Sequence, residues 1–250
     1  MNDDEQPANR IETLQEFTTR AKRQRAVGIR QSFLQSGRGP KGGPGVLAHL
    51  IRNRDHLALD IYLLLLLRGR GAPHLVEVQS GTWTRMLDLG DSKSAEQRLS
   101  RTLTRLIEKH NLIRRTKTRL GVKVQLLKED GSGAKYSPPS GGKKDPYFQL
   151  PLEYWLADHY ITLRTPGKAM LLVALGEMGE FSLPVAQVNN WYGLSQETAN
   201  RGLDELKARV LICSHSRFAK APLHPAGRRR LKLWRLLAPY ARKEVMQVES

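Results

Sequence analysis

Cysteine is nearly absent from the 250-residue chain: Cys213 is the only one. An internal disulfide is therefore impossible, and a reducing compartment, the cytoplasm, is expected. Aromatic residues are also scarce, at 6%, so any core must rest on Leu, Ile and Val. Long apolar runs are missing. The longest, residues 61–67, falls far short of the roughly 20 residues a membrane helix requires, so no membrane partner is expected. Residues 3–5 are acidic and no apolar stretch follows them, which argues against a signal peptide.

The marks of catalysis are missing too. No Gly-x-x-x-x-Gly-Lys-Ser/Thr loop is present to cradle a nucleotide phosphate. The seven histidines show no metal-ligand spacing, and Cys213 reads as a buried strand thiol rather than a zinc ligand. No close His pair accompanies a Tyr as a nicking site would need. Asp55, Asp60 and Asp88 read as caps or surface groups rather than a two-metal centre. Trp83, Trp155, Trp191 and Trp234 are scattered and read as core residues rather than a stacking platform. The expectation is a non-enzyme with no catalytic residue, no metal and no cofactor.

What is abundant is positive charge: 41 Lys and Arg against 24 Asp and Glu, a formal net charge of +17. Three stretches, 17–54, 110–128 and 206–243, carry basic residues and no acid at all. Charge segregated in this way points to a polyanionic partner.

Breaker-rich segments divide the chain. Residues 1–45 end in a Gly/Pro cluster over 37–45 and read as a flexible basic arm; residues 129–146, with Pro138-Pro139, read as a linker. Regions 46–128 and 147–240 would then be two domains with separate cores, followed by a polar tail, 241–250. Each region shows the same order of elements. In the first, 56–68 is a dense apolar helix, 82–89 a short helix ended by Gly90, and Asp91 or Ser92 caps a long helix to His110. Its inward face is Leu99, Leu103, Leu106 and Ile107. Two β-prone runs, 112–120 and 122–127, then meet at Gly121 as a hairpin. In the second region a helix opens at Thr165-Pro166, a short helix runs from Pro184 to Tyr192 before Gly193, and Ser195 caps a helix to Arg209. A strand opening at Leu211 and a returning strand over 231–237 follow.

The helices end alike, in Ile107-Glu108-Lys109-His110-Asn111-Leu112-Ile113 and Leu206-Lys207-Ala208-Arg209-Val210-Leu211-Ile212. Helix, short helix, Gly turn, capped helix, Leu-Ile strand and basic hairpin resemble the winged helix-turn-helix superfamily of bacterial DNA-binding proteins, over residues 53–128 and 165–237. The turn before the strand in that superfamily often carries Gly or Asn; Asn111 fits this and Val210 departs from it. The resemblance implies an α+β fold of two winged helix-turn-helix domains that binds double-stranded DNA, with a possible homodimer to match symmetric sites. It implies a transcriptional regulator, most simply a repressor, associated with the nucleoid. A plasmid-type replication initiator and a nucleoid or partition protein that coats DNA are the alternatives.

A recognition helix packs one face on its neighbours and offers the other to base edges. In the first unit the expected outward residues are Ser92, Lys93, Ser94, Gln97, Arg98, Arg101, Thr102 and Arg105, with Gln97, Arg98 and Arg101 the base-reading candidates. The hairpin would add phosphate contacts from Arg114, Arg115, Lys117, Arg119 and Lys123. In the second unit the corresponding positions are Ser195, Gln196, Thr198, Asn200 and Arg201, with Arg217, Lys220, Arg228, Arg229 and Arg230 on the hairpin. Glu197, Asp204 and Glu205 make this second helix less basic, which leaves a protein contact open to it. The basic arm at the N-terminus is expected to track the minor groove.

Overall fold

A helix without a polar face has nothing to present to water and must sit in the middle of a molecule. Two such segments organise this one. The computed structural model describes residues 9–19, 25–37, 42–69, 71–118, 121–177, 179–223 and 225–241. The elements run α1 (Arg10–Thr19), β1 (Ala26–Arg30), a 3-10 turn (Gln31–Phe33), α2 (Val46–Arg52), α3 (His56–Arg68), β2 (Leu75–Val78), α4 (Ser80–Met86) and α5 (Lys93–Glu108). They continue with β3 (Ile113–Thr118), β4 (Gly121–Leu126), β5 (Tyr147–Pro151), α6 (Glu153–Leu156), α7 (His159–Thr162) and α8 (Thr165–Gly176). The last are α9 (Val185–Tyr192), α10 (Gln196–Ala208), β6 (Ile212–Lys220) and β7 (Arg228–Leu236). The fold is α+β, with small antiparallel sheets paired β1–β5, β2–β4–β3 and β6–β7.

In α3, residues 57–67 are buried without exception; in α8, residues 167–174 are. Both apolar helices expected from the sequence therefore form, and each is a central element. They are joined through the interior: Lys168 Nζ donates to both Asp60 carboxylate oxygens at 2.7 Å, and both side chains are almost completely buried. Asp60 is thus neither a cap nor a surface group, as its sequence context suggested. Burial pushes its pKa up to about 6 against the pull of Lys168.

The expected division into arm, linker and two separately cored domains gives way to one continuous hydrophobic core from Leu14 to Tyr240. Residues 26–30 are a strand rather than part of a flexible arm. β1 pairs with β5 from Ala26↔Pro151 to Arg30↔Tyr147, and Ile29, Phe33 and Leu34 are fully buried. Pairing the N-terminal strand with residues after the linker draws that linker onto the body. Arg30, itself buried, donates to Glu129 at 2.6 Å and to Asp145 at 2.7 Å, and Tyr136 is buried beside His74. Gly/Pro content ruled out regular structure in 129–146, but these buried charge pairs supply order without it. The expected contact of the arm with the minor groove falls largely on Arg20, Lys22, Arg23, Arg38 and Lys41, which lie outside the described residues.

Close backbone approach fixes α10 on α8. A Cβ at Gly202 would lie 2.3 Å from the Pro166 carbonyl oxygen, and one at Gly167 would lie 2.4 Å from Glu205 Oε2. Gly202 meets backbone, so only glycine fits there, whereas at Gly167 the end of the Glu205 side chain would have to move.

Candidate nucleic-acid interface

The first unit consists of α4, α5, β3 and β4. Ser92 caps α5 as expected, its hydroxyl accepting from the Ala95 amide at 3.2 Å and sharing a hydrogen bond with Ser94 Oγ at 2.8 Å. Ala95, Leu99, Thr102, Leu103 and Leu106 turn inward. Ser92, Lys93, Ser94, Gln97, Arg98 and Arg101 are exposed, and among the described residues neither Arg98 nor Arg101 is engaged in an ion pair.

Two of the expected outward residues are not on this surface. Thr102 is fully buried, with its hydroxyl donating to the Arg98 carbonyl at 2.8 Å. It lies three residues after Leu99 and four before Leu106, so it falls within the inward stripe, which is wider than its leucines alone suggest. Arg105 flanks the stripe and grips Asp55 in a bidentate pair at 2.7 and 2.8 Å. Asp55 opens α3, so this pair holds α5 on the central helix. His110 Nε2 completes the cluster at 3.3 Å from Asp55 Oδ2. Burial alone would raise the Asp55 carboxyl, but Arg105 and His110 outweigh it and hold its pKa below the ordinary value. Burial lowers the pKa of His110, keeping the ring neutral at pH 7. Its Nδ1 has no hydrogen-bond partner among the described residues, which fits the tautomer that donates from Nε2.

The hairpin forms with Thr118↔Gly121 as its last pair, and β2 adds a third strand that had no sequence signal beyond 75–78 alternation. Strand register sorts its cations by face. Arg115 and Lys117 lie opposite Val124 and Val122, on the face turned to α5; Arg115 Nη1 reaches the Ser100 carbonyl of that helix at 3.3 Å. Arg114 and Lys123 occupy the other face, where Lys123 meets Glu77 at 3.3 Å in an exposed pair. Arg119 lies outside the described residues. Register thus places Arg115 and Lys117 on the hairpin face turned to α5 and Arg114 and Lys123 on the other.

The second unit, α9, α10, β6 and β7, repeats the local design. Ser195 caps α10, accepting from Thr198 N at 3.1 Å, and Gly193 takes the left-handed conformation before it. Asn111 and Val210, each directly before Leu-Ile, both have positive φ, at 54° and 58°. The departure at Val210 is therefore one of residue type alone; the backbone follows the same path. On α10 the exposed polar groups engage one another: Gln196 donates to Asn200 at 2.9 Å, and Arg201 meets Glu197 at 2.5 Å. The Arg201 guanidinium is thus partnered before any ligand arrives.

Two clefts flank α10. One is lined by Arg52, Arg54, Asn189, Asn190, Ser195 and Gln196, with Arg52 Nε donating to the Gly193 carbonyl at 2.9 Å. It places cations from the α2–α3 turn beside the start of α10, which linear reading did not anticipate. The other lies between α10 and the β6–β7 ribbon, lined by Lys207, Ser214, His215, Ser216, Arg230 and Lys232. Alternation of Arg230, Lys232 and Trp234 on one strand face is the sequence signal that marks Lys232. Arg217, Lys220, Arg228, Arg229 and Arg230 are all exposed on the ribbon. Cys213 is half-buried on β6. Among the described residues no helix is long and apolar enough to cross a membrane. Compared with known proteins, the chain matches no family model, no curated sequence and no solved structure.

Proposed function

We propose that this protein binds double-stranded DNA sequence-specifically and regulates transcription as a repressor. The observation that carries the reading is the outward face of α5. Gln97, Arg98 and Arg101 stand exposed on a helix whose opposite face is fixed to the core, beside a hairpin whose Arg115 reaches the Ser100 carbonyl of that helix. A helix of this kind enters the major groove, where Arg pairs bidentately with guanine and Gln with adenine. Ser92 and Ser94 at its start, together with the unpaired backbone amides there, suit a phosphate. The α10 unit adds cations from Lys207 and the ribbon, and two such units on one core set a fixed spacing between two half-sites.

Selection of bound sequences from a random duplex library, with salt titration of the winner against a scrambled duplex, tests this. A defined motif preferred by about a thousandfold or more is expected. Several repeats of that motif beside an AT-rich tract would assign a replication initiator instead. Equal affinity for every duplex would make it a coating protein, and no binding at all would overturn the reading.

A further inference from the structure

The β6–β7 ribbon is longer than a hairpin needs to be for packing. Its nine-residue strands span about 30 Å, and only the base is buried, through Ile212, Leu233, Trp234 and Leu236. Beyond it, residues 215–220 and 228–232 are exposed or half-buried throughout. This outer part carries Arg217, Lys220, Arg228, Arg229, Arg230 and Lys232, and no acid occurs anywhere in residues 206–243. A cationic ribbon of this kind self-repels, and its outer length buries nothing in the core.

Register sorts the outer residues. Phe218, Lys220, Arg228, Arg230 and Lys232 share the face that also lines the groove against Lys207 of α10; Arg217, Arg229 and Leu231 share the other. On the first face the Arg228 guanidinium lies 4.7 Å from the ring centroid of Phe218, which is 63% exposed, and Lys232 Nζ lies 4.2 Å from that of Trp234. Two aromatic rings thus hold cations in rank along the face without neutralising them. At the far end, between Pro222 and Pro225, Leu223 is fully exposed, the extreme among the exposed large hydrophobic side chains. The flanking prolines restrict the backbone there.

We propose that this ribbon is a DNA-bending arm: its cationic face follows the phosphates, and Leu223 wedges between base pairs from the minor groove at its tip. An apolar side chain inserted into a base step unstacks it and kinks the duplex, and apolar wedges on basic elements are suited to this. A polyanion is the occupant that fits, because the outer ribbon that carries this leucine bears six cations and no acid; pyrimidine–purine steps, which unstack most readily, are where it enters. The proposal rests on the DNA-binding reading above and adds to it a deformation of the bound duplex.

The test uses the full chain and duplexes of about 40 base pairs with a central TA step, carrying a dye pair at their ends. Wild type is expected to raise end-to-end energy transfer on binding. Leu223→Ser, which removes no packed side chain and is expected to melt with wild type, loses the rise even at protein concentrations that saturate the duplex. Arg228→Gln/Arg229→Gln/Arg230→Gln weakens binding itself and flattens its salt dependence, by about one unit of slope for each phosphate the ribbon no longer neutralises. If wild type binds the duplexes without bending them, or Leu223→Ser bends them as well as wild type does, the arm proposal falls and the DNA-binding reading stands. If wild type binds no duplex, both fall. If Leu223→Ser instead abolishes binding to phosphatidylserine vesicles and alters nothing on DNA, the tip is a membrane contact and the arm proposal is overturned.

Discussion

The unit formed by α4, α5, β3 and β4 and the one formed by α9, α10, β6 and β7 share a capping serine, a helix that ends in a left-handed residue, and a following Leu-Ile strand. They distribute their charge differently. On α5 the exposed arginines Arg98 and Arg101 have no acidic partner among the described residues. The acid of that cluster, Asp55, lies on the buried side, where it ties Arg105 to α3. On α10 the exposed arginine is matched by Glu197, while its hairpin is extended into a nine-residue ribbon rich in cations. Their supports differ too: β3–β4 gains β2 as a third strand, whereas β6–β7 stands as two. The same local frame thus leaves the exposed helix arginines without acidic partners among the described residues in one unit, and in the other matches the helix arginine with Glu197 and lengthens the cationic hairpin.

The largest effect is expected where the two central helices, α3 and α8, are joined. Lys168→Met leaves the Asp60 carboxyl buried without its partner and should cost about 3–5 kcal/mol in urea unfolding, whereas Asp60→Leu/Lys168→Met recovers most of the loss. Independent halves would instead give two transitions, with the substitutions shifting only one. A single cooperative transition in wild type supports the common core.

Next in size is the contrast between helices. On the proposed reading, Arg98→Ala/Arg101→Ala lowers affinity for the selected motif by about tenfold to a hundredfold and relaxes its specificity. Arg201→Ala, whose guanidinium Glu197 already holds, changes much less, since an exposed pair is worth about 0–1 kcal/mol. Filter binding of both variants to the same duplex decides it; equal losses would erase the distinction between α5 and α10.

The two interior clusters respond oppositely to acid. Asp55 and His110 have depressed folded-state pKa values, so their contribution to stability is present above the unfolded values, about 3.9 and 6.5, and is lost as pH falls below them. Asp60 is raised to about 6, so its contribution is present at low pH and is lost as pH rises through that value. His110→Gln should therefore flatten the decline in unfolding free energy below pH of about 6.5, measured by urea titration at successive pH values.

The smallest effect compares one backbone position. A β-branched residue in the left-handed region is strained, whereas Asn tolerates it. Val210→Asn should stabilise by about 1 kcal/mol and Asn111→Val should destabilise by a similar amount in thermal melts. Opposite signs are required if the two turns are equivalent.

The helices are legible in the sequence because their signals are local. Ser92, Gly193 and Ser195 mark ends, and a 3.6-residue stripe marks the inward faces of α5 and α10. The stripe's width is not legible from its leucines, which by themselves leave Thr102 outside. The ribbon's basic residues are visible, but not that Phe218 and Arg228 share a face, because register depends on which residues pair across the turn. Arg105 resembles a groove contact in the linear sequence because its partner, Asp55, lies fifty positions earlier.

Composition, periodicity and capping residues by themselves determined the α+β class, the helices α3, α5, α8, α9 and α10, both hairpins and the segregated positive charge. These depend on interactions within a few residues, or on charge summed without regard to place. Only the tertiary structure decided that residues 26–30 pair with 147–151, that Glu129 and Asp145 clamp Arg30, and that Asp60 meets Lys168 between the two halves. Each of those pairings closes a loop of about a hundred residues and is stabilised only when both partners leave water together, so neither sequence neighbourhood carries a trace of it.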